Sequence, residues 1–276
     1  MPAFETPGPT RLRVRNPAGL LTIEAAETDR TTVELEPLRD DEATREAIEQ
    51  ATVELNGDEV LVEIGSGGKG FGFGPAWISF GRTPLVGIRI SCPEGAALDY
   101  ATASADLNAR GRLGGVEAKS ASADVSLEEV AGLRVHSASG DVRAGVVDGD
   151  ARVQTVSGDV RLGTVRGVVA ATLVSGDVSV EDAQSDVEAK TVSGDQRVDA
   201  IRQGRIKLQS VSGDVRIGVR PGTRLRIDAT STSGDISSEF DVKDRPSDEP
   251  IGAEATLQIK TFSGDVEIVR AAAVNA

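Results

Sequence analysis

The sequence predicts an all-β protein, most of which is a single-stranded β-solenoid (β-helix) with about 18 residues per coil. The first observation behind this prediction is a repeat of Ser-Gly-Asp or Ser-Ala-Asp, which ends at Asp106, Asp124, Asp141, Asp159, Asp177, Asp195, Asp214, Asp235 and Asp265. The second is that apolar and polar residues alternate around each copy with the period of two that is typical of half-buried strands. Such a repeat indicates stacked supersecondary units.

The apolar positions fall in columns when the copies are aligned on their aspartate. The residue directly after the aspartate is aliphatic in every copy except the one that carries Gln196. A second inward column follows two residues later and is interrupted by Ser238. One unit cannot bury such a face alone, whereas stacked units bury each column against its copy in the next coil, about 4.8 Å away. The pattern leaves the handedness of the coils open.

The Ser-Gly-Asp tripeptides are predicted to form the corners of the solenoid. Glycine adopts backbone conformations that other residues resist, and serine and aspartate side chains bond backbone groups in tight turns. The predicted corner residues are Ser139, Gly140, Asp141, Ser157, Gly158, Asp159, Ser175, Gly176, Asp177, Ser193, Gly194, Asp195, Ser212, Gly213 and Asp214.

Residues 1–98 lack the repeat and are predicted to be a β-rich cap that precedes the solenoid of residues 99–270. Within the cap, residues 12–35 alternate as strands, and residues 40–50 suggest a short helix with acidic residues in its first turn. A cap is expected because a solenoid end exposes an open sheet edge, which proteins usually cover. Residues 271–276 are predicted to be a loose tail.

A glycine-rich segment inside the cap, Gly65 to Gly74, does not fit a phosphate-binding loop. Lys69 is followed by glycine and phenylalanine, where such a loop needs serine or threonine and then a helix. The segment and its continuation hold four of the chain's eight aromatic residues, namely Phe71, Phe73, Trp77 and Phe80. Two interpretations stay open: these side chains plug the end of the solenoid, or they form a candidate interaction patch for a partner or for self-association.

Composition excludes several classes of function. The formal net charge of -14 argues against binding to nucleic acid or to an anionic membrane surface. The chain has a single cysteine and a single histidine, so an internal disulfide, a cysteine-based zinc site and a histidine-rich metal site are not expected. Neither a signal peptide nor a transmembrane segment is apparent, which predicts a cytoplasmic protein without a membrane span.

No catalytic, cofactor or metal site is predicted. His136, Ser139 and Asp141 lie near one another, but His136 belongs to an outward polar column and nothing indicates a nucleophile turn or an oxyanion hole. The aspartates recur once per coil, too sparsely for the six to eight oxygens that calcium prefers. Their mutual repulsion must still be offset by turn hydrogen bonds, by a cation, or by a nearby column of arginines, namely Arg143, Arg161, Arg197 and Arg216.

The motifs resemble a known bacterial family. The reiterated Thr-Val-Ser-Gly-Asp-Val, the Pro-x-Gly lead-ins at Pro93 and Pro221, and the closing segment of residues 259–268 are similar to the β-strand-repeat family labelled "putative adhesin", also called the toast-rack domain. The resemblance covers roughly residues 10–270. It implies a β-helical stack without an established enzymatic activity, in a family with some members linked to bacterial envelope stress.

The leading functional hypothesis is a non-enzymatic, adhesin-like scaffold or protein-interaction module. Two alternatives remain. The first is a cytoskeletal-type solenoid that assembles end to end through uncovered edge strands. The second is a carbohydrate-binding or carbohydrate-active β-helix, which would need carboxylates clustered in a groove rather than repeated at corners. The expected partner is therefore a protein or a second copy of the chain.

Overall fold

The repeat aspartates lie on stacked coils of short parallel strands in the computed structural model, which describes residues 2–8, 10–65, 83–240 and 253–271. The predicted all-β solenoid with one short helix is confirmed. The chain divides into two compact units, Met1–Glu128 and Glu129–Ala276. The predicted division at residue 98 follows the start of the repeat rather than these units, and it stays a prediction.

The first unit contains the first two copies of the repeat, which end at Asp106 and Asp124. The bounds of its strands are β1 (Ala3–Glu5), β2 (Arg11–Ala26), β3 (Arg30–Pro37), β4 (Thr52–Asn56), β5 (Glu59–Glu63), β6 (Val86–Pro93) and β7 (Ala97–Ser122), with helix α1 at Glu42–Glu49. Strand β2 lies between β5 and β6 on one side and β7 on the other, parallel to all three. Strands β3 and β4 pair antiparallel with β6 and β5, and the three-residue β1 pairs with β3.

Helix α1 begins where the sequence supplies a cap. The Asp41 carboxylate accepts a hydrogen bond from the backbone N–H of Thr44 at 2.8 Å. Hydrogen bonds from Thr44 and then from Arg39 lower the pKa of Asp41 to about 2. The carboxylate therefore stays charged and satisfies an otherwise unpaired donor of the first turn.

In the second unit, two sets of parallel strands continue coil after coil. Their bounds are β8 (Val125–Ser139, which begins in the first unit), β9 (Val142–Val147), β10 (Ala151–Ser157), β11 (Val160–Val165), β12 (Val169–Ser175), β13 (Val178–Ala183), β14 (Val187–Lys190), β15 (Gln196–Ile201), β16 (Gly204–Ser212), β17 (Val215–Val219), β18 (Arg224–Ser233), β19 (Ile236–Ser238), β20 (Glu254–Ser263) and β21 (Val266–Arg270). Equivalent residues of neighbouring coils face each other, as Val160 does with Val142 and Val178.

The last two coils do not stack in chain order. Strands β20 and β21 pair with β16 and β17 on one side and with β18 and β19 on the other. The coil that ends the chain is thus inserted before the coil that precedes it in sequence. A strictly successive pile of 18-residue units is therefore wrong for this pair of coils, because the 30-residue interval between Asp235 and Asp265 lets the chain return to the inner position.

The core of the second unit consists of the predicted aliphatic columns. Val160, Val178 and Val266 are at most 2% exposed, and so is Gln196 in the same column. The Gln196 side chain donates from Nε2 to Thr191 Oγ1 at 2.9 Å and to the Gln209 carbonyl at 2.7 Å. These bonds supply the partners that a buried amide needs, although its Oε1 has none in the described residues.

Candidate functional site

The corners bring the backbones of successive coils into close approach. Gly158 and Gly176 have φ values of +122° and +124°. A Cβ atom on Gly176 would lie 2.2 Å from the carbonyl oxygen of Gly158, and a Cβ on Gly158 would lie 2.2 Å from that of Gly140. Both the left-handed conformation and the lack of space therefore require glycine here.

The aspartates of the corners form a ladder of hydrogen bonds. From Asp141 to Asp265, the Oδ1 of each corner aspartate accepts from the backbone N–H of the aspartate in the next coil of the stack, as between Asp141 and Asp159 at 3.0 Å and between Asp177 and Asp195 at 2.8 Å. The ladder continues from Asp214 to Asp265 and from Asp265 to Asp235 at 2.8 Å, following the exchanged order of the last coils. Backbone donors thus stabilise the stacked carboxylates.

Arginines add to this stabilisation at the first corners of the second unit. Arg143 contacts the Asp141 carboxylate at 2.6 Å, and Arg161 contacts that of Asp159 at 2.7 Å. The backbone hydrogen bond from Asp159, and then Arg143, hold the pKa of Asp141 below its usual value. Each exposed ion pair contributes only about 0.2–1 kcal/mol.

Among the described residues, no group of three or more His, Cys, Asp or Glu side chains is arranged to hold a metal ion.

The three residues considered for hydrolysis have structural partners. The Asp141 carboxylate accepts hydrogen bonds from the Asp159 backbone and from Arg143, and the Ser139 carbonyl accepts one from the Ser137 hydroxyl. His136 faces Gln154 in the register of β8 and β10. The arrangement is that of a strand that ends in a corner.

A shallow depression follows the arginine column where Ser179 replaces an arginine. Its volume is about 210 Å³, and it is lined by Asp159, Arg161, Asp177, Val178, Ser179, Asp195 and Arg197. Pockets for drug-sized ligands measure about 300–1,000 Å³. The depression is therefore too small to enclose such a ligand.

An exposed apolar column runs along the strands just before the corners. It consists of the residues three positions before the aspartates, and we call it the valine column: Val156 (51% exposed), Val174 (47%), Val192 (50%), Val211 (51%) and Phe262 (62%). Val192 lies just beyond the end of β14, and the other four residues lie on strands. The serine that follows each of the five is in register from coil to coil, so the side chains form one continuous row. Contiguous exposed apolar surface of this kind marks interaction sites.

The residues that border the valine column carry no negative charge. On one side lie the corner serines, and on the other lie Gln154, Thr172, Lys190, Gln209 and Lys260. This composition contrasts with a chain whose net charge is -14. The column is thus an apolar row with a mostly neutral border, in which Lys190 is paired with Glu188 at 2.9 Å and Lys260 adds a positive charge.

Sequence reasoning missed the valine column although a signal was present. In the alternating pattern, the residue six before each aspartate points inward, so the residue three before it must point outward. Valine at that position in four copies is therefore an exposed apolar row. The aromatic patch that was predicted instead, Phe71, Phe73, Trp77 and Phe80, lies outside the described residues.

This geometry defines the class of the protein: a β-solenoid repeat protein with glycine corners. Residues 10–269 match the family described as Toastrack DUF4097, and the chain belongs to this family. The predicted family resemblance is thereby confirmed. A comparison with curated proteins found no matching relative. In the described part of the chain, no helix has the length and apolar character needed to cross a membrane.

One solved structure of low sequence identity shares the fold, and two others are similar at lower TM-scores. A "putative adhesin" from Parabacteroides distasonis is 14% identical, with 97% of this chain and 95% of that chain covered and a TM-score of 0.52. A "putative adhesin" from Parabacteroides merdae is 12% identical, with 98% and 95% covered and a TM-score of 0.45. A "putative lipid binding protein" from Parabacteroides distasonis is 12% identical, with 98% and 96% covered and a TM-score of 0.42. At 14% identity, the likeness to the first of these structures concerns the fold alone.

Proposed function

We propose that this chain is a non-catalytic, adhesin-like interaction module, and that it contacts a protein partner through the valine column. The observation that carries the proposal is the row of half-exposed apolar side chains on in-register strands. Water contact with this row is unfavourable, and a partner that covers it recovers that free energy. The corner ladder supports the role because it holds the row in a regular geometry.

The dimensions of the valine column suit a short, extended partner segment. Five coils at a spacing of about 4.8 Å give a row roughly 19 Å long. An extended segment of about six residues spans the same distance, at about 3.3 Å per residue. Lys190 is paired with Glu188 at 2.9 Å, so Lys260 is the bordering cation with which we expect a carboxylate of an otherwise apolar partner segment to pair. An interface of this size belongs to the weak, transient class.

A protein partner is favoured over a membrane surface. The net charge of -14 opposes approach to an extended surface of anionic headgroups, whereas a short partner segment contacts only the valine column and its border. The family resemblance suggests that the partner acts in bacterial envelope stress, and identification of the partner tests that suggestion.

Site-specific photo-crosslinking tests the proposal. A photoreactive amino acid is placed at Val174 or Val192 in the native host, and at Glu181 as a control in the same coil as Val174. We expect one protein to be crosslinked from the two valine positions and not from Glu181. Crosslinks that are equally frequent from all three positions contradict the proposal.

Affinity measurements with the purified partner then test whether the valine side chains contribute the binding free energy. The double variant Val174→Thr/Val192→Thr keeps side-chain shape and β-branching but adds hydroxyls. We expect it to weaken binding about tenfold or more, while Glu181→Gln leaves binding unchanged. Equal affinity of the double variant and the parent chain contradicts the proposal. Valine-dependent binding to phospholipid vesicles, without a protein partner, assigns the column to lipid instead.

A further inference from the structure

We propose that two copies of this chain associate through the open coil formed by β18 and β19, with β18 of one copy antiparallel to β18 of the other. Strand β18 pairs with β20 along Arg224–Ser233, and β19 pairs with β21. Within the described ranges, no strand pairs with the opposite edge of either. Between Leu225 and Ser233, the backbone donors and acceptors of alternate residues, which are directed away from β20, are thus available for pairing.

The interior of the open coil is incompletely buried. Ile236 is 47% exposed, whereas Val266, its partner in the neighbouring coil, is 0% exposed. Ile227 is half-buried, whereas Leu257 opposite it is 0% exposed. These aliphatic side chains occupy core columns that lack their outer neighbour. A partner on this edge would complete the columns.

In the described residues, strand β18 has charged side chains only on its exposed face, at Arg224, Arg226 and Asp228, and lacks the other usual protections of a sheet edge. It is 10 residues long, contains no proline, and keeps an unbroken register with β20. The half-buried residues that point inward, Leu225, Ile227 and Ala229, carry no charge. Natural edge strands are commonly shortened, bulged or charged at such positions. The other unit follows that rule, since its three-residue β1 covers β3 and β4 covers β5.

The charges of β18 are complementary to those of a second β18. In an antiparallel pair centred on Ile227, Leu225 faces Ala229 of the second copy, and Arg226 faces its Asp228. The two-fold symmetry produces the Arg226–Asp228 pair twice, on the exposed side of the strand. This self-complementarity favours a second copy of the chain as the partner of the edge strand. A two-fold contact of one edge with itself closes at the dimer, so the protein does not grow into a filament by this route.

Charge exchange tests this register. Asp228→Arg places Arg226 opposite an arginine, and Arg226→Asp places Asp228 opposite an aspartate. Analytical ultracentrifugation of the full chain should show a concentration-dependent dimer, with a dissociation constant raised about tenfold or more in either single variant. The double variant Arg226→Asp/Asp228→Arg restores the dimer, and so does mixing the two single variants. Glu181→Arg, with the same charge change away from the edge, leaves the dimer unchanged.

Several outcomes overturn the proposal. One is a strict monomer at millimolar concentration, and another is a dimer that the single variants leave unaffected. Failure of the two mixed single variants to associate overturns it as well. Hydrogen exchange gives an independent measurement, because the β18 amides should become protected as concentration rises. Amides of β18 that are protected equally at every concentration mean that the chain covers its own edge, and this result also overturns the proposal. Circular dichroism verifies that each variant is folded.

Discussion

The corner glycines set the distance between successive coils. From Gly158 onward, each adopts a left-handed backbone conformation and lies against the carbonyl group of the equivalent glycine in a neighbouring coil. The adjacent aspartate accepts a backbone hydrogen bond across the same gap. The glycine thus permits the close approach of the two backbones, and the aspartate that follows it forms a hydrogen bond between them. The repeat therefore depends on the tripeptide rather than on any single side chain.

Gly176→Ala should destabilise the second unit strongly. The new Cβ would lie 2.2 Å from the Gly158 carbonyl oxygen, and φ is +124°, so both strain and overlap oppose the substitution. We expect a loss of about 3 kcal/mol or more in the free energy of unfolding, measured with urea. Gly132→Ala is the control, because its Cβ would meet nothing closer than 3.8 Å. Equal losses for the two variants would show that the corner does not require glycine.

The single cysteine shows how a residue can be conspicuous in sequence and inert in the fold. Cys92 is buried, and burial raises the pKa of its thiol to about 12. A thiol with such a pKa is not a thiolate near neutral pH, so it is a poor nucleophile and a poor metal ligand. Its contribution is that of a small apolar side chain in the core of the first unit.

The repeats place valine in two columns with opposite surroundings: the exposed valine column and a buried core column. Val178 follows the corner and points into the core, whereas Val174 precedes the corner and points outward. The same residue type therefore stabilises the stack in one column and is available for binding in the other. The alternation of the strand, rather than hydrophobicity, decides which role a valine has.

The two columns should respond differently to the same substitution. Val178→Ala removes two methyl groups from a side chain that is 2% exposed, and we expect it to cost about 2 kcal/mol. Val174→Ala lies at a position that is 47% exposed and should cost less than about 0.5 kcal/mol. Thermal and urea denaturation of both variants provide the measurement. A larger loss for Val174→Ala would mean that the outward column is structural, and it would also weaken the proposed binding role.

The order of the final coils is a property of the whole second unit. Strands β20 and β21 lie inside the stack, and β18 and β19 lie at its edge, although they come earlier in the chain. Because of this exchange, the edge strand is β18, whose charges are complementary to those of a second β18. Coil order thus determines which surface is available for association.

Cysteine pairs test this order. Ser263 is in register with Ser212 in one neighbouring coil and with Ser233 in the other. We expect the pairs Ser212→Cys/Ser263→Cys and Ser233→Cys/Ser263→Cys to form disulfides under mild oxidation. Ser212→Cys/Ser233→Cys should not, because coils two steps apart are separated by roughly 9.6 Å, beyond the reach of a disulfide. Mass spectrometry after thiol blocking measures the outcome. A disulfide in Ser212→Cys/Ser233→Cys, together with none in Ser212→Cys/Ser263→Cys, would indicate stacking in chain order.

The sequence by itself determined the solenoid, its repeat length and its aliphatic columns, because alternation and a repeated tripeptide are local signals that every copy restates. It also contained the signal for the valine column, since the parity of position three before the aspartate follows from the same alternation. The exchanged order of the last coils was not predictable in this way. Equivalent columns fit any neighbouring coil almost equally well, so the local pattern does not determine the order of the coils. Only the tertiary structure decided that β18 lies at an open edge, because strand pairing depends on segments that are far apart in the sequence.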